Sequence, residues 1–197
     1  MESIDDQKLK EIIVAAKELF WKHGFKRVTI EEVCRKAKVS KMTFYKHFKN
    51  KMELIKYLLN FIFDKSLKKY REIMDSDLPF PEKVKQTLDL KMEQSQDISN
   101  EFMNDYIRHA DPEMLEFLNQ IQSKNLKMIV NDYVEAQKKG EIRKDIKPEF
   151  ILYFLNQMFV MMKDESLEKL YSNPQDLIME FINFFFYGVL PRDGKNE

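Results

Sequence analysis

Residues 39–51, VSKMTFYKHFKNK, concentrate side chains suited to meeting an anion. Lys41, Lys46, Lys49 and Lys51 stand there with His47, and the stretch holds no acid. Placed on a helix at about 100° per residue, Phe44 and Phe48 share a face that must pack inward. Met42 and Lys46 fall opposite them, flanked by Thr43 and Tyr45. An ammonium, a hydroxyl and a phenol can bond phosphate oxygens, and a flexible apolar chain can lie on base edges or thymine methyls. A solvated basic face would show the same residues, and charge alone does not separate the two readings.

Other chemistries lack their parts. The histidines are His23, His47 and His109, Cys34 is the only cysteine, and there are four glycines. They supply no phosphate-cradling loop and no Cys/His cluster at metal-ligand spacing. Neither a metal, a cofactor nor enzymatic activity is expected. Cys34 reads as a small core hydrophobe; without a second cysteine no intramolecular disulfide forms, which suits a reducing compartment. The start, MESIDDQKLKEII, has acids where a secretion signal is basic and apolar. FILYFLNQMFVMM (150–162) contains Asn156 and Gln157 and is too short for a bilayer. A cytoplasmic protein with no membrane partner is expected.

A helix of about eight residues does not hold itself in water, so its neighbours must position the 41–48 segment. Residues 7–23 place Leu9, Ile12, Ile13, Ala16, Leu19 and Phe20 at helical spacing, and Gly24 stands where a helix stops. Thr29 and Glu32 form a capping box that starts a helix at Ile30. Ser40 is an N-cap, with Val39 and Phe44 as a hydrophobic staple. Asn50 and Glu53 start a long helix to about Met74. Pro81, Pro112, Pro148 and Pro174 mark later starts, and Asp111 and Asn173 cap two of them. AQKKG ends the longest helix. The fold class is all-α, with about nine helices and a helix-turn-helix near the N-terminus.

Charge follows the same division. The whole chain is neutral, but residues 1–51 hold 13 Lys+Arg against 7 Asp+Glu, leaving 20 against 26 for residues 52–197. One end therefore suits an anionic partner. The functional boundary falls at residue 51, between a helix-turn-helix domain (1–51) and a helical regulatory and dimerisation domain (52–197).

The run IIVAAKELFWKHGFKRVTIEEVCRKAKVSKMTFYKHFKNKMELI resembles the DNA-binding domain of the tetracycline-repressor (TetR) family. The resemblance covers roughly the first sixty residues without a gap. It rests on Ala15-Ala16 before Leu19-Phe20, on Gly24-Phe25, Thr29 and Val39-Ser40, and on TFYKHFKNK. It departs at Lys38, where the family usually has Gly in the turn, and at Met42, where Gly or Pro is frequent. The resemblance implies that Thr29 presents its hydroxyl and a helix N-terminus to phosphate. It implies that Tyr45, His47 and Lys51 hold the DNA backbone, and that Lys41, Met42, Thr43 and Lys46 face the major groove. The implied partner is a double-stranded, near-palindromic operator, and the implied activity is repression.

The C-terminal portion is rich in apolar helix. Phe150, Phe154, Met158 and Met161, with Leu177, Phe181, Phe184 and Phe185, give wide apolar faces of the kind that mark an interaction surface. The resemblance implies that they pair with their copies in a homodimer, placing two recognition helices roughly 34–36 Å apart. It also implies a small-molecule effector. Phe102, Met103, Tyr106, His109, Phe117, Met158 and Phe159 are the candidate lining, suited to an apolar or aromatic ligand, although at helical spacing each taken singly reads first as ordinary core. The alternative is a DNA-binding protein of the same fold regulated by a protein partner.

Overall fold

The computed structural model describes residues 6–96, 98–108, 110–162 and 164–189. Among them lie ten α-helices and no strand. They are α1 (Gln7–His23), α2 (Ile30–Ala37), α3 (Lys41–His47), α4 (Lys51–Met74), α5 (Phe80–Ser95), α6 (Asn100–Met103), α7 (Pro112–Lys139), α8 (Pro148–Met161), α9 (Glu165–Glu168) and α10 (Pro174–Val189). A π-helical turn, Asn104–Arg108, continues α6. Two of these helices, α6 and α9, are single turns.

The capping residues act as their types dictate. Asp6 accepts the amides of Lys8 and Leu9 at the start of α1. Asn50 Oδ1 accepts the Glu53 amide at 2.8 Å, and the Glu53 carboxylate reaches back to the Lys49 amide, so the NKME signal closes as a reciprocal cap. Asp111 and Asn173 accept from Met114 and Asp176. Gly24 ends α1 at φ +73°, a conformation that side chains resist.

The chain forms two compact units: Met1–Leu67 with Asp97–Met114, and Lys68–Gln96 with Leu115–Glu197. Compactness therefore divides the chain later than residue 51, and α4 contributes to both units. In the first, α1 packs on α2 and α3. Ile12, Ala16, Phe20, Val33, Phe44 and Leu54 are buried there, each side chain as large as Val or more contributing about 1.5–3 kcal/mol by leaving water. Cys34 is buried and free, and burial raises its thiol pKa, as fits a core hydrophobe.

In the second unit, the core joins Phe80 and Val84 of α5, Tyr133 and Ala136 of α7, Ile151 and Met158 of α8, and Phe185 and Val189 of α10. The α7–α8 connection is pinned to α10 through Arg143. Its backbone amide donates to the Val189 carbonyl and its guanidinium to the Gly188 carbonyl, while Asp145 holds the guanidinium two-fold. Among the described residues no helix is long and apolar enough to cross a membrane, and no group of three His, Cys, Asp or Glu side chains could hold a metal ion.

Candidate nucleic-acid interface

Helix α2 begins with the box expected at Thr29. The Thr29 hydroxyl accepts the Glu32 amide at 3.2 Å, and the Glu32 carboxylate accepts the Thr29 amide at 2.8 Å and its hydroxyl proton at 2.9 Å. Those bonds hold the Glu32 carboxyl below its ordinary pKa. Thr29 is exposed at the helix start, with its hydroxyl proton committed to Glu32.

The turn into α3 is built on Lys38, at φ 54° and ψ 41°. This is the left-handed conformation that the missing glycine would favour, held at a cost of roughly 1 kcal/mol. The amides of Lys38 and Val39 close the end of α2 by bonding the Arg35 and Cys34 carbonyls. Ser40 then caps α3, its Oγ accepting the Thr43 amide at 3.0 Å and lying 2.9 Å from the Thr43 hydroxyl.

Phe44 anchors α3 in the core, fully buried. Its ring centroid lies 5.7 Å from that of Phe48, which in turn meets Tyr57 of α4 at 5.4 Å. The opposite face is open: Met42 is 74% exposed and Tyr45 53%, with Lys41 and Lys46 also exposed and Thr43 half-buried. Lys41, Met42, Thr43, Tyr45 and Lys46 thus share one short, firmly anchored helix. Lys41 pairs with Glu31, which lowers the Glu31 pKa and raises that of Lys41. The pair is solvated, so its hold is weak and exchangeable. His47 is half-buried, its Nε2 3.7 Å from the Asp6 carboxylate.

Lys51 is placed differently from its neighbours. Its ammonium turns inward and donates to the carbonyls of Lys26 (3.0 Å) and Val28 (2.9 Å), and burial lowers its pKa. Two of its three donors thereby clasp the α1–α2 loop. Sequence reasoning also missed Asp105, whose carboxylate accepts the Lys26 amide at 2.8 Å from 79 residues away. No local pattern signals a contact of that span.

This arrangement, an anchored helix after a tight turn with polar and cationic groups outward, can dock into a groove lined by phosphates. Residues 12–58 match the family model for bacterial regulatory proteins of the tetR family. Those residues, most of α1 through the first turns of α4, are a DNA-binding region of the tetR-family type. The HTH-type transcriptional regulator YhgD of Bacillus subtilis (strain 168) is 27% identical over 160 residues, 80% of this chain and 82% of that one. Among solved structures, the fatty acid degradation regulator FadR of Bacillus halodurans superposes with a TM-score of 0.71 at 16% identity, covering 94% of this chain and 98% of that one. FadR of Bacillus subtilis, solved with stearoyl-CoA, gives 0.68 at 16% identity, with coverage of 91% and 98%. At these identities the structures share the fold.

The remaining candidates divide between the units. In the first, Phe102 and Met103 are buried; the Phe102 ring lies 4.4 Å from Trp21, 6.1 Å from Phe25 and 5.4 Å from Tyr106. This is aromatic core packing. In the second, Phe117 is half-buried and Met158 belongs to the core. His109 lies outside the described residues, as does the side chain of Phe159. Of the candidates for self-association, Met158, Leu177 and Phe185 are buried, and Phe154, Met161 and Phe181 pack partly against the core. Phe150 and Phe184 face solvent, 58% and 71% exposed. They are joined by three residues that sequence reasoning left out, Tyr153 and Val160 on α8 and Tyr187 on α10, all more than half exposed. Tyr153 and Tyr187 stand three residues after Phe150 and Phe184, and Val160 two turns after Tyr153, which was the available signal.

Proposed function

We propose that this regulator is a sequence-specific DNA-binding repressor that works as a homodimer and is released from a near-palindromic operator by a small apolar or aromatic effector. The observation that carries the DNA-binding part is α3 itself. Phe44 and Phe48 are buried on one side, while Lys41, Met42, Tyr45 and Lys46 stand exposed on the other. A seven-residue helix keeps this face presented because its anchor is tertiary rather than local. Lys41, Met42, Thr43 and Lys46 read the groove, while Thr29, Tyr45, His47 and Lys51 hold phosphates. For Lys51 that role uses the third ammonium proton, beyond the two that clasp the loop.

Self-association rests on the open rings of α8 and α10. Phe150, Tyr153 and Val160, with Phe184 and Tyr187, expose apolar area that a monomer has no reason to keep in water. A two-fold pairing covers it and sets the half-site spacing. The effector acts by preferring the geometry that does not fit DNA; full reversal of occupancy needs a differential affinity of about 5.5 kcal/mol.

Selection of duplexes from a random-sequence pool tests the reading. Enrichment of an inverted repeat with centres about one helical turn apart is expected. Recovery of a non-symmetric site, or no enrichment, refutes the dimeric operator. With the enriched duplex in hand, aromatic compounds and long-chain acyl-CoAs are the first effectors to try, and release of DNA is the readout.

A further inference from the structure

We propose that Asp105, far from the recognition helix in sequence, is a positioning residue for DNA binding: its carboxylate sets the Gly24–Val28 loop from which α2 and then α3 are launched. The inference rests on the DNA-binding reading above and assigns it a residue outside the helix-turn-helix.

Three observations within the first compact unit carry it. The first is the hydrogen bond at 2.8 Å from the Lys26 amide to Asp105 Oδ2, a charge-assisted contact to the middle of the loop. The second is closeness of fit. A Cβ added to Gly24 would stand 2.5 Å from Asp105 Oδ2 and 3.0 Å from the Glu101 carbonyl oxygen. The glycine therefore serves two needs: the positive φ of the α1 cap and the approach of this carboxylate. The third is the docking of the whole segment. The Ser99 amide donates to the Trp21 carbonyl at 3.1 Å, and Phe102 lies against Trp21 and Phe25. The chain leaves α-helical register at Asn104, one residue before the aspartate, a departure often found at functional positions.

Lys51 holds the Lys26 and Val28 carbonyls of the same loop. The loop is thus gripped by two side chains, an acid on a backbone donor and a base on two backbone acceptors. It feeds straight into Thr29, the cap of α2. A shift of the loop moves the start of α2, and α3 follows through a turn of only three residues, 38–40.

An acid near DNA phosphates repels them, so simple electrostatics predicts that removing Asp105 strengthens binding. The positioning role predicts the opposite for any variant that loses the oxygen or displaces it. The test is anisotropy of the enriched duplex and of a shuffled duplex, over a salt series, with thermal unfolding as the check on folding. Asp105→Asn keeps an oxygen in place and is expected to stay within about threefold of the wild type, and Asp105→Glu, which keeps the charge but has no room for its extra methylene, to lose about tenfold on the enriched duplex alone. The salt slope stays unchanged, because the same lysines meet the DNA. If Asp105→Glu does not fold, Asp105→Ala decides: a loss of similar size supports the role, and a gain overturns it. Wild-type binding by Asp105→Glu, or equal losses on both duplexes, also overturns it. A wild-type protein that does not distinguish the duplexes sinks the DNA-binding reading itself, whereas discrimination undiminished from wild type in Asp105→Glu sinks only the role of Asp105.

Discussion

Helix α3 and the pair α8–α10 solve the same problem with opposite chemistry. Each buries one apolar set, Phe44 with the capping Phe48 in the first case, Phe185 with Met158 in the second, and each leaves another set in water. On α3 the exposed groups are cations, a phenol and a thioether. On α8 and α10 they are Phe150, Tyr153, Val160, Phe184 and Tyr187. Exposed lysines cost nothing, so the α3 face argues for a partner only together with its rigid mounting. Exposed apolar side chains of this size do cost, and five of them on two helices argue for a partner by their presence. The first surface fits an anion that comes and goes with salt; the second fits a lasting apolar contact.

The largest expected effect breaks the mounting. Phe44→Ala is expected to lower the stability of the first unit by about 3–5 kcal/mol, measured by urea unfolding, and to abolish DNA binding with it. A stable variant that still binds would mean that α3 needs no anchor. Next comes the apolar side: Phe184→Lys is expected to weaken self-association by about 2 kcal/mol or more, read by sedimentation across a concentration series, with helix content unchanged. If that variant stays as associated as the wild type, α10 is not the contact. On the polar side, Lys46→Ala should cost about 1–3 kcal/mol on the enriched duplex and relax its sequence preference. Unaltered discrimination would return α3 to a solvated basic face.

Two smaller changes sharpen the comparison without touching either surface. Lys38→Gly relieves the left-handed residue in the turn and is expected to raise stability by about 1 kcal/mol in urea unfolding, leaving DNA discrimination intact. A fall in stability would show that the turn prefers its lysine. Smallest is the Glu32 cap. Its carboxyl pKa is depressed in the folded state, so its stabilisation is present above the ordinary glutamate range and fades as pH falls through the lowered value. Thermal melts of Glu32→Gln should therefore lose that part of the acid-side slope; an unchanged slope would assign it to other carboxylates.

What could be read from sequence was what local chemistry writes. Thr29, Ser40, Asn50, Asp111 and Asn173 mark helix starts because a short polar side chain reaches an amide two or three residues on. Pro112, Pro148 and Pro174 do so because proline gives up no bond at a first turn. The end of α4 at Met74 was legible in the same way, from an apolar period that stops. Contacts between distant segments left no such trace. The inward turn of Lys51, the reach of Asp105 to Lys26 and the packing of Phe102 on Trp21 join residues separated by 23 to 81 positions, where only the fold decides who meets whom. The single-turn helices α6 and α9 escaped for a related reason, being too short to show a period.

The central claim is that the outward face of α3 reads DNA sequence. Its most direct test is the anisotropy of labelled DNA from upstream of the protein's own gene, titrated against a scrambled duplex from low to physiological salt. The account predicts a preference of about a thousandfold or more, with affinity falling steeply as salt rises. Weak binding, equal on the two duplexes and carried by the enriched duplex no better, would contradict it.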